Sequence, residues 1–374
     1  MDVSFLRPLY ERPGRWASVY LDGTRQREDV TAAVELRWRN ARTGLERAGC
    51  DRATADALGA ALLAERGREG PRGVAGFACA GRVELMRVLD GPPRRQIAVF
   101  EPLPHAMPLL AQLGEGIPYV RVLLDRTGGD VEAVGTGRVV HRESVAGGEV
   151  FPMHRSKPGG WSAPRYQRAA HVTWQRNAGD VAAAVAEAAW QCGAEVIVVA
   201  GDPQARPMLV AKLPEHWQER VVQTTEGARA PGADLAALDD ATAEAVAERA
   251  AEAATGVLDR YHSHRGTGGA AADGLPAVVH ALQRGQADTV LIADDPSATG
   301  RVWIGPEPLQ LSFDRAELEG MGVPAPQRAR ADAALVRAIV GSDAHLLFVA
   351  PDDLPGDISV ATLLRYADTT TRHR

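Results

Sequence analysis

A three-domain α/β protein is what this sequence predicts. Strand-like and helix-like patterns alternate along most of the chain, which points to layered sheets and helices. Its 374 residues exceed what one hydrophobic core usually organises. A Gly/Ala-rich stretch at 266–274 reads as a hinge before a last helix–strand unit. The expected domains are residues 1–115, mixed α and β; residues 116–260; and residues 261–374.

In the first domain, Ala17-Ser18-Val19-Tyr20-Leu21 alternates as a strand does. Helices are expected over 28–49 and 52–66, with Gly49 and Gly67 as stop signals, and further strands over 74–79 and 97–100. The second domain opens with a strand over 119–125, a Thr127-Gly128-Gly129 turn and a strand over 131–134. A long helical segment is expected over 162–192. The apolar run Val196-Ile197-Val198-Val199-Ala200 reads as a buried strand closed by Gly201-Asp202-Pro203. An Ala/Glu-rich helix follows over 240–261. The last domain reads as helix 275–284, strand 289–292, helix 331–340 and strand 346–349.

Composition excludes several classes. The chain is 45% hydrophobic and 24% charged, as soluble globular proteins are. No run of about 18 apolar residues predicts a membrane span, and the first residues lack the pattern of a signal peptide. Cys50, Cys79 and Cys192 lie far apart without zinc spacing, and an odd count fits a reducing compartment. A cytoplasmic protein is therefore expected, with no membrane and no DNA partner. Forty of the 42 basic residues are arginine, which a GC-rich genome explains, so arginine content alone argues nothing about nucleic acid.

Local charge argues more. The net charge is −6, yet residues 151–179 contain no acid while Arg155, Lys157, Arg165, Arg168 and Arg176 are cationic. Within this island lies Lys157-Pro158-Gly159-Gly160-Trp161-Ser162, leading toward the long helical segment. Such a loop suits a polyanion: glycines admit close approach, guanidinium and ammonium groups meet phosphates, and an indole stacks on a base. An ordinary surface loop whose Trp161 packs on its own domain is the plainer alternative. Arg37, Arg39, Arg42 and Arg47 make the helix over 28–48 a second basic surface, suited either to RNA or simply to solvent.

Other candidates carry less. His262-Ser263-His264 has ligand-like spacing but no Cys or third His at a useful distance, so no metal is assigned. Gly266-Thr267-Gly268-Gly269 lacks the Lys-Ser/Thr pair of a P-loop, and no Gly-x-Ser-x-Gly elbow is present. Asp294-Asp295-Pro296 and Pro351-Asp352-Asp353 read as turns after strands. Trp16, Trp38, Trp174 and Trp190 are expected to pack against cores or helix faces. No cofactor is expected.

Three passages resemble the archaeo-eukaryotic release factor and Pelota superfamily. Gly159-Gly160-Trp161-Ser162-Ala163-Pro164-Arg165-Tyr166-Gln167-Arg168 is similar to the Gly-Gly-Gln loop of its class 1 release factors. Leu123-Leu124-Asp125-Arg126 resembles the opening strand of their middle domain. The segment from Gly274-Leu275-Pro276 to Val290-Leu291-Ile292 resembles the opening of their C-terminal domain, an α/β/α sandwich like ribosomal protein L30e. Gly356-Asp357-Ile358 and Leu363-Leu364-Arg365-Tyr366 resemble the closing motif of actinobacterial members. The likeness covers roughly residues 118–370 and is strongest to the bacterial branch, which includes Balon-type ribosome hibernation factors and relatives of Ankzf-type peptidyl-tRNA hydrolases. It implies a release-factor-like middle domain and an L30e-like last domain.

One departure shapes the expected activity. In release factors the loop's glutamine helps position the water that attacks peptidyl-tRNA; Trp161 stands here. Indole offers one N–H donor and no acceptor, so it does not replace a carboxamide toward water, although its backbone amide remains as an oxyanion donor. Gln167, after Arg165-Tyr166, falls at a helix start rather than at the loop tip. No catalytic residue is therefore assigned. The resemblance implies a hibernation factor in the vacant A site of the bacterial 70S ribosome, contacting 23S and 16S rRNA, with elongation factor Tu as a partner. The expected rRNA-binding residues are Lys157, Gly159, Gly160, Trp161, Ser162, Arg165 and Arg168. A peptidyl-tRNA hydrolase or rescue factor on stalled ribosomes is the alternative, and a stress-induced α/β protein without a ribosomal role is a third reading.

Overall fold

The computed structural model describes residues 1–24, 30–65, 71–89, 91–114, 116–135, 138–147, 163–229, 232–267, 269–293 and 300–366, with the backbone alone for residues 30–32, 138 and 163–171. The α/β class holds. By packing, residues 1–114 join residues 256–374 in one unit, and residues 115–255 form the other.

The first segment carries β1 (Trp16–Asp22), α1 (Val30–Arg47), α2 (Arg52–Ala64), β2 (Gly73–Cys79), β3 (Arg82–Leu89), β4 (Ile97–Glu101) and α3 (Met107–Leu113). Its antiparallel sheet runs β3-β2-β1-β4. Asp51 caps α2 by accepting from the Thr54 amide at 2.8 Å. Strand alternation explains why β1 is buried throughout: Trp16 and Tyr20 join one core, while Ala17, Val19 and Leu21 join a second with Leu45 and Leu58 of the helices.

The middle segment carries β5 (Tyr119–Asp125), β6 (Gly128–Gly135), β7 (Arg138–Ala146), α4 (Ala163–Cys192), β8 (Val196–Gly201), α5 (Ala205–Val210), α6 (Glu215–Gln218), β9 (Val221–Gln223) and α7 (Ala236–Gly266). Its sheet runs β7-β6-β5-β8-β9, parallel at β5/β8 and β8/β9. In the apolar run of β8, Ile197 and Val199 face one core with Val181 and Val185 of α4, while Val196 and Val198 pack with Ala245 of α7. Trp190 corrects an expectation: it stands 75% exposed. The buried stripe of α4 is Ala178, Val181, Ala182, Val185, Ala188 and Ala189, and position 190 falls outside it. Trp16 and Trp38 are buried as expected.

The last segment carries β10 (Ala271–Asp273), α8 (Leu275–Gln283), β11 (Ala287–Ala293), β12 (Arg301–Ile304), β13 (Leu311–Ser312), α9 (Arg315–Gly320), β14 (Gln327–Arg330), α10 (Ala331–Gly341), β15 (His345–Val349) and β16 (Val360–Leu364). One sheet runs β10-β16-β11-β15 and a smaller one β13-β12-β14. The expected hinge over 266–274 is corrected. The end of α7 and β10 occupy much of it, β10 pairs with β16, and Asp273 accepts from Tyr261 and Arg265 at 2.7 Å each. Its alanines read as flexible in sequence, yet Ala271 and Ala272 are buried. The unit boundary falls earlier, at Thr255/Gly256 inside α7.

The first and last segments share a core. Leu6, Leu9, Trp16, Tyr20 and Phe77 meet Val278, Leu282, Val336, Ile339 and Leu346 in one cluster. Helix α10 is buried from Ala331 to Val340 except at Asp332, as befits a helix apolar on nearly every side. Its one cation, Arg337, donates to the Gly305 and Gln310 carbonyls at 2.9 and 3.1 Å, and burial pulls its guanidinium down to about 10. The Leu346 amide also donates to the Met1 carbonyl at 3.1 Å.

Candidate functional site

The basic Gly-rich sequence lies between β7 and α4, and Gly147 just past β7 and Asn177 midway along α4 are both tied to the turn between β5 and β6. Thr127 closes that turn by donating its amide and hydroxyl to Asp125 Oδ1, both at 2.6 Å. The Gly147 amide, just past β7, donates to the Thr127 carbonyl at 2.6 Å. Asn177 of α4, 2% exposed, donates to the Arg126 carbonyl at 2.9 Å. Only glycine fits position 147, since a Cβ there would lie 2.2 Å from Asn177 Cγ. Arg126 stacks 4.4 Å over the Trp174 ring and donates to Asp202 Oδ2 at 3.0 Å. These contacts join the β5–β6 turn, the middle of α4 and the residue after β8.

Beside this junction two arginines engage three acids. Arg229 forks onto Asp130 at 3.0 and 3.1 Å and reaches Asp125 at 3.4 Å; Ser144 donates to Asp130 at 2.6 Å. The Arg229 hydrogen bonds hold the Asp130 carboxyl below its usual range against the opposing effect of burial, and Ser144 adds to this. The same pairing holds the Arg229 guanidinium above its own. The two guanidiniums thus offset two of the three carboxylates Asp125, Asp130 and Asp202. Sequence reasoning missed this cluster. Arg229 and Asp130 are 99 residues apart, and no local pattern joins them.

Of the residues expected to bind RNA, Lys157, Gly159, Gly160, Trp161 and Ser162 lie outside the described residues, as does Arg155. Positions 165 and 168 fall in the first two turns of α4, three residues apart on its backbone, and Arg176 further along that helix is exposed. On α1, Arg37 is engaged by Asp22 at 3.0 Å and Arg42 by Glu46 and Asp56 at 2.8 and 2.7 Å, while Arg39 and Arg47 are exposed. Half of that basic surface is thus spent on intramolecular pairs. His262 and His264 are exposed on α7. Asp353 accepts from the Ala350 amide at 2.9 Å, a turn-forming role. The expected turn at Asp294-Asp295-Pro296 lies outside the described residues. Among the described residues no group of three or more His, Cys, Asp or Glu is placed to hold a metal ion, and no helix is long and apolar enough to cross a membrane.

The middle unit of this α/β protein is a five-stranded sheet with α4 packed against it, and the basic Gly-rich sequence lies between β7 and α4. Comparison with known proteins narrows the class. Residues 118–267 match the family model of bacterial archaeo-eukaryotic release factor family 2. The chain is 30% identical over 370 residues to the uncharacterised protein Rv2629 of Mycobacterium tuberculosis (strain H37Rv), covering 97% of this chain and 96% of that one. Among solved structures it is similar to ribosome-bound archaeal Pelota, with a TM-score of 0.41 and 14% identity over 97% of this chain and 93% of that one. It is also similar to an archaeal translation termination factor, with a TM-score of 0.27 and 16% identity over 97% and 96%. The chain belongs to the bacterial branch of the archaeo-eukaryotic release factor superfamily.

Proposed function

We propose that this protein is a ribosome-binding factor that enters the vacant A site of the bacterial 70S ribosome and blocks it without breaking a bond. The observation that carries the reading is Trp161 in the place where release factors hold their catalytic glutamine, within a loop rich in cations and free of acids. In this reading Gly159 and Gly160 let the backbone approach 23S rRNA closely, Lys157, Arg165 and Arg168 meet phosphates, and Trp161 stacks on an unpaired base. Arg126 and Arg229 in the same domain support it, since they offset carboxylates that would otherwise repel phosphates more strongly. Residues 1–115 would lie toward the decoding centre and its 16S rRNA. The last domain would lie near the stalk base, where elongation factor Tu is the escort. Steric occupation then silences ribosomes under stress or slow growth, in the cytoplasm.

Co-sedimentation with vacant 70S ribosomes, in competition with A-site tRNA, tests this directly. Stoichiometric binding that tRNA displaces is expected, falling steeply with added salt because the contacts are to phosphate. Absence of binding, with or without elongation factor Tu, overturns the reading. Release of peptide from P-site peptidyl-tRNA by the wild-type protein assigns it instead to hydrolysis or rescue.

A further inference from the structure

The first and last segments enclose a cavity of about 520 Å³, the size of a typical small-molecule site. Three features of its lining bear on what it holds. Met107, Leu335 and Phe348 supply apolar wall. Residues 97–99 of β4 line it along an edge strand, whose other edge has no strand partner among the described residues. Arg94 and Arg95 stand exposed among the lining residues.

A polar cluster is built into the same wall. Asp332 receives both Arg330 Nε and Nη2, at 3.0 and 2.8 Å, and lies 3.2 Å from His105 Nε2. With the carboxylate ionised, Nε2 carries the proton. Nδ1 of this imidazole, itself 6% exposed, has no hydrogen-bond partner among the described residues. Arg94 and Arg95 place two exposed guanidinium side chains along another part of the same lining.

We propose that this cavity binds a nucleoside phosphate, with the base against the apolar wall and the β4 edge and the phosphate at Arg94 and Arg95. A heterocycle offers donors and acceptors to the strand edge and to His105. An alkyl tail would leave those polar groups facing hydrocarbon, which is unfavourable. The proposal stands independently of ribosome binding, and its failure would leave that reading untouched.

Titration calorimetry on the full chain tests it, with adenosine, guanosine, cytidine and uridine mono-, di- and triphosphates as probes, and inorganic pyrophosphate and decanoate as controls. At least one nucleoside phosphate is expected to bind one-to-one and to raise the melting temperature. Arg95→Glu, at an exposed site, should weaken it by about tenfold or more, and Ala111→Phe, which fills the cavity from α3, should abolish binding. Arg95→Glu decides alone if Ala111→Phe does not fold. The proposal is overturned if no nucleoside phosphate binds at about 1 mM, if Arg95→Glu leaves binding unchanged, or if a folded Ala111→Phe does. It is equally overturned if pyrophosphate binds as tightly as any nucleotide, or if only decanoate binds.

Discussion

At the scale of single residues, two side chains carry opposite kinds of argument. Trp161 carries function. If it stacks on a base, Trp161→Ala should weaken ribosome affinity about 5- to 150-fold, the equivalent of about 1–3 kcal/mol, measured by sedimentation or filter binding; unchanged affinity removes the stacking role. Trp161→Gln should create peptide release only if the loop is already posed as in release factors. Asp332 carries stability. Burial opposes its charge, but the hydrogen bonds and positive charge of His105 and Arg330 win and bring its carboxyl from 3.8 to about 2. A depressed carboxyl stabilises the fold above its unfolded pKa, and that contribution disappears as pH falls from about 4 toward 2. It amounts to about 2 kcal/mol, so acid unfolding should begin in this window. Asp332→Asn should remove that component of the pH dependence and destabilise by about 3–5 kcal/mol, since Arg330 is left without its carboxylate. Urea denaturation across pH reads both.

At the scale of elements, β8 shows what the sequence made legible and what it hid. Its five apolar residues announced a buried strand, and Gly201 announced its end. The structure adds the reason for that glycine: its φ is +108°, and a Cβ there would lie 2.0 Å from the Leu124 carbonyl oxygen of the neighbouring β5. Gly201→Ala should therefore cost about 3 kcal/mol and lower the melting temperature of residues 115–255; a shift within error would mean that the strand end relaxes freely. Long periodic elements such as α4 and α7 were legible for the same reason as β8, because burial writes a period into the chain. The strands β7, β14 and β16 were not. Val139 and Val140 of β7 are exposed among charged neighbours, β14 reads Gln-Arg-Ala-Arg, and β16 is a run of only five residues whose Pro355-Gly356-Asp357 turn signal went unused. The candidate loop was legible as composition, whereas the contacts that join Arg126 to Trp174, Asn177 and Asp202 are made by folding, from residues up to 76 apart.

At the scale of the whole molecule, the discontinuous unit is the governing fact. Residues 115–255 have their own sheet and their own core of Val122, Val185 and Ile197. Expressed alone, that fragment should fold cooperatively. Residues 1–114 alone should expose the face of Trp16, Tyr20 and Phe77 and bind hydrophobic dyes, and mixing them with residues 256–374 should restore a protected core. Calorimetry and dye fluorescence check this; a stable, dye-silent 1–114 fragment would show that the shared core is dispensable.

Synthesis on the ribosome gives this arrangement a temporal meaning. The face around Trp16 and Tyr20 emerges early, but its partners Val278, Leu282 and Val336 follow only after some 260 more residues. At the usual pace of about 5–20 residues per second that is a wait of roughly 13–50 s. During that interval the middle unit, whole in itself, is free to fold, while the nascent chain behind it keeps an apolar surface open. A truncated product ending before residue 278 would never close that surface, so incomplete copies are marked for chaperones and proteases by the same face that completes the finished protein.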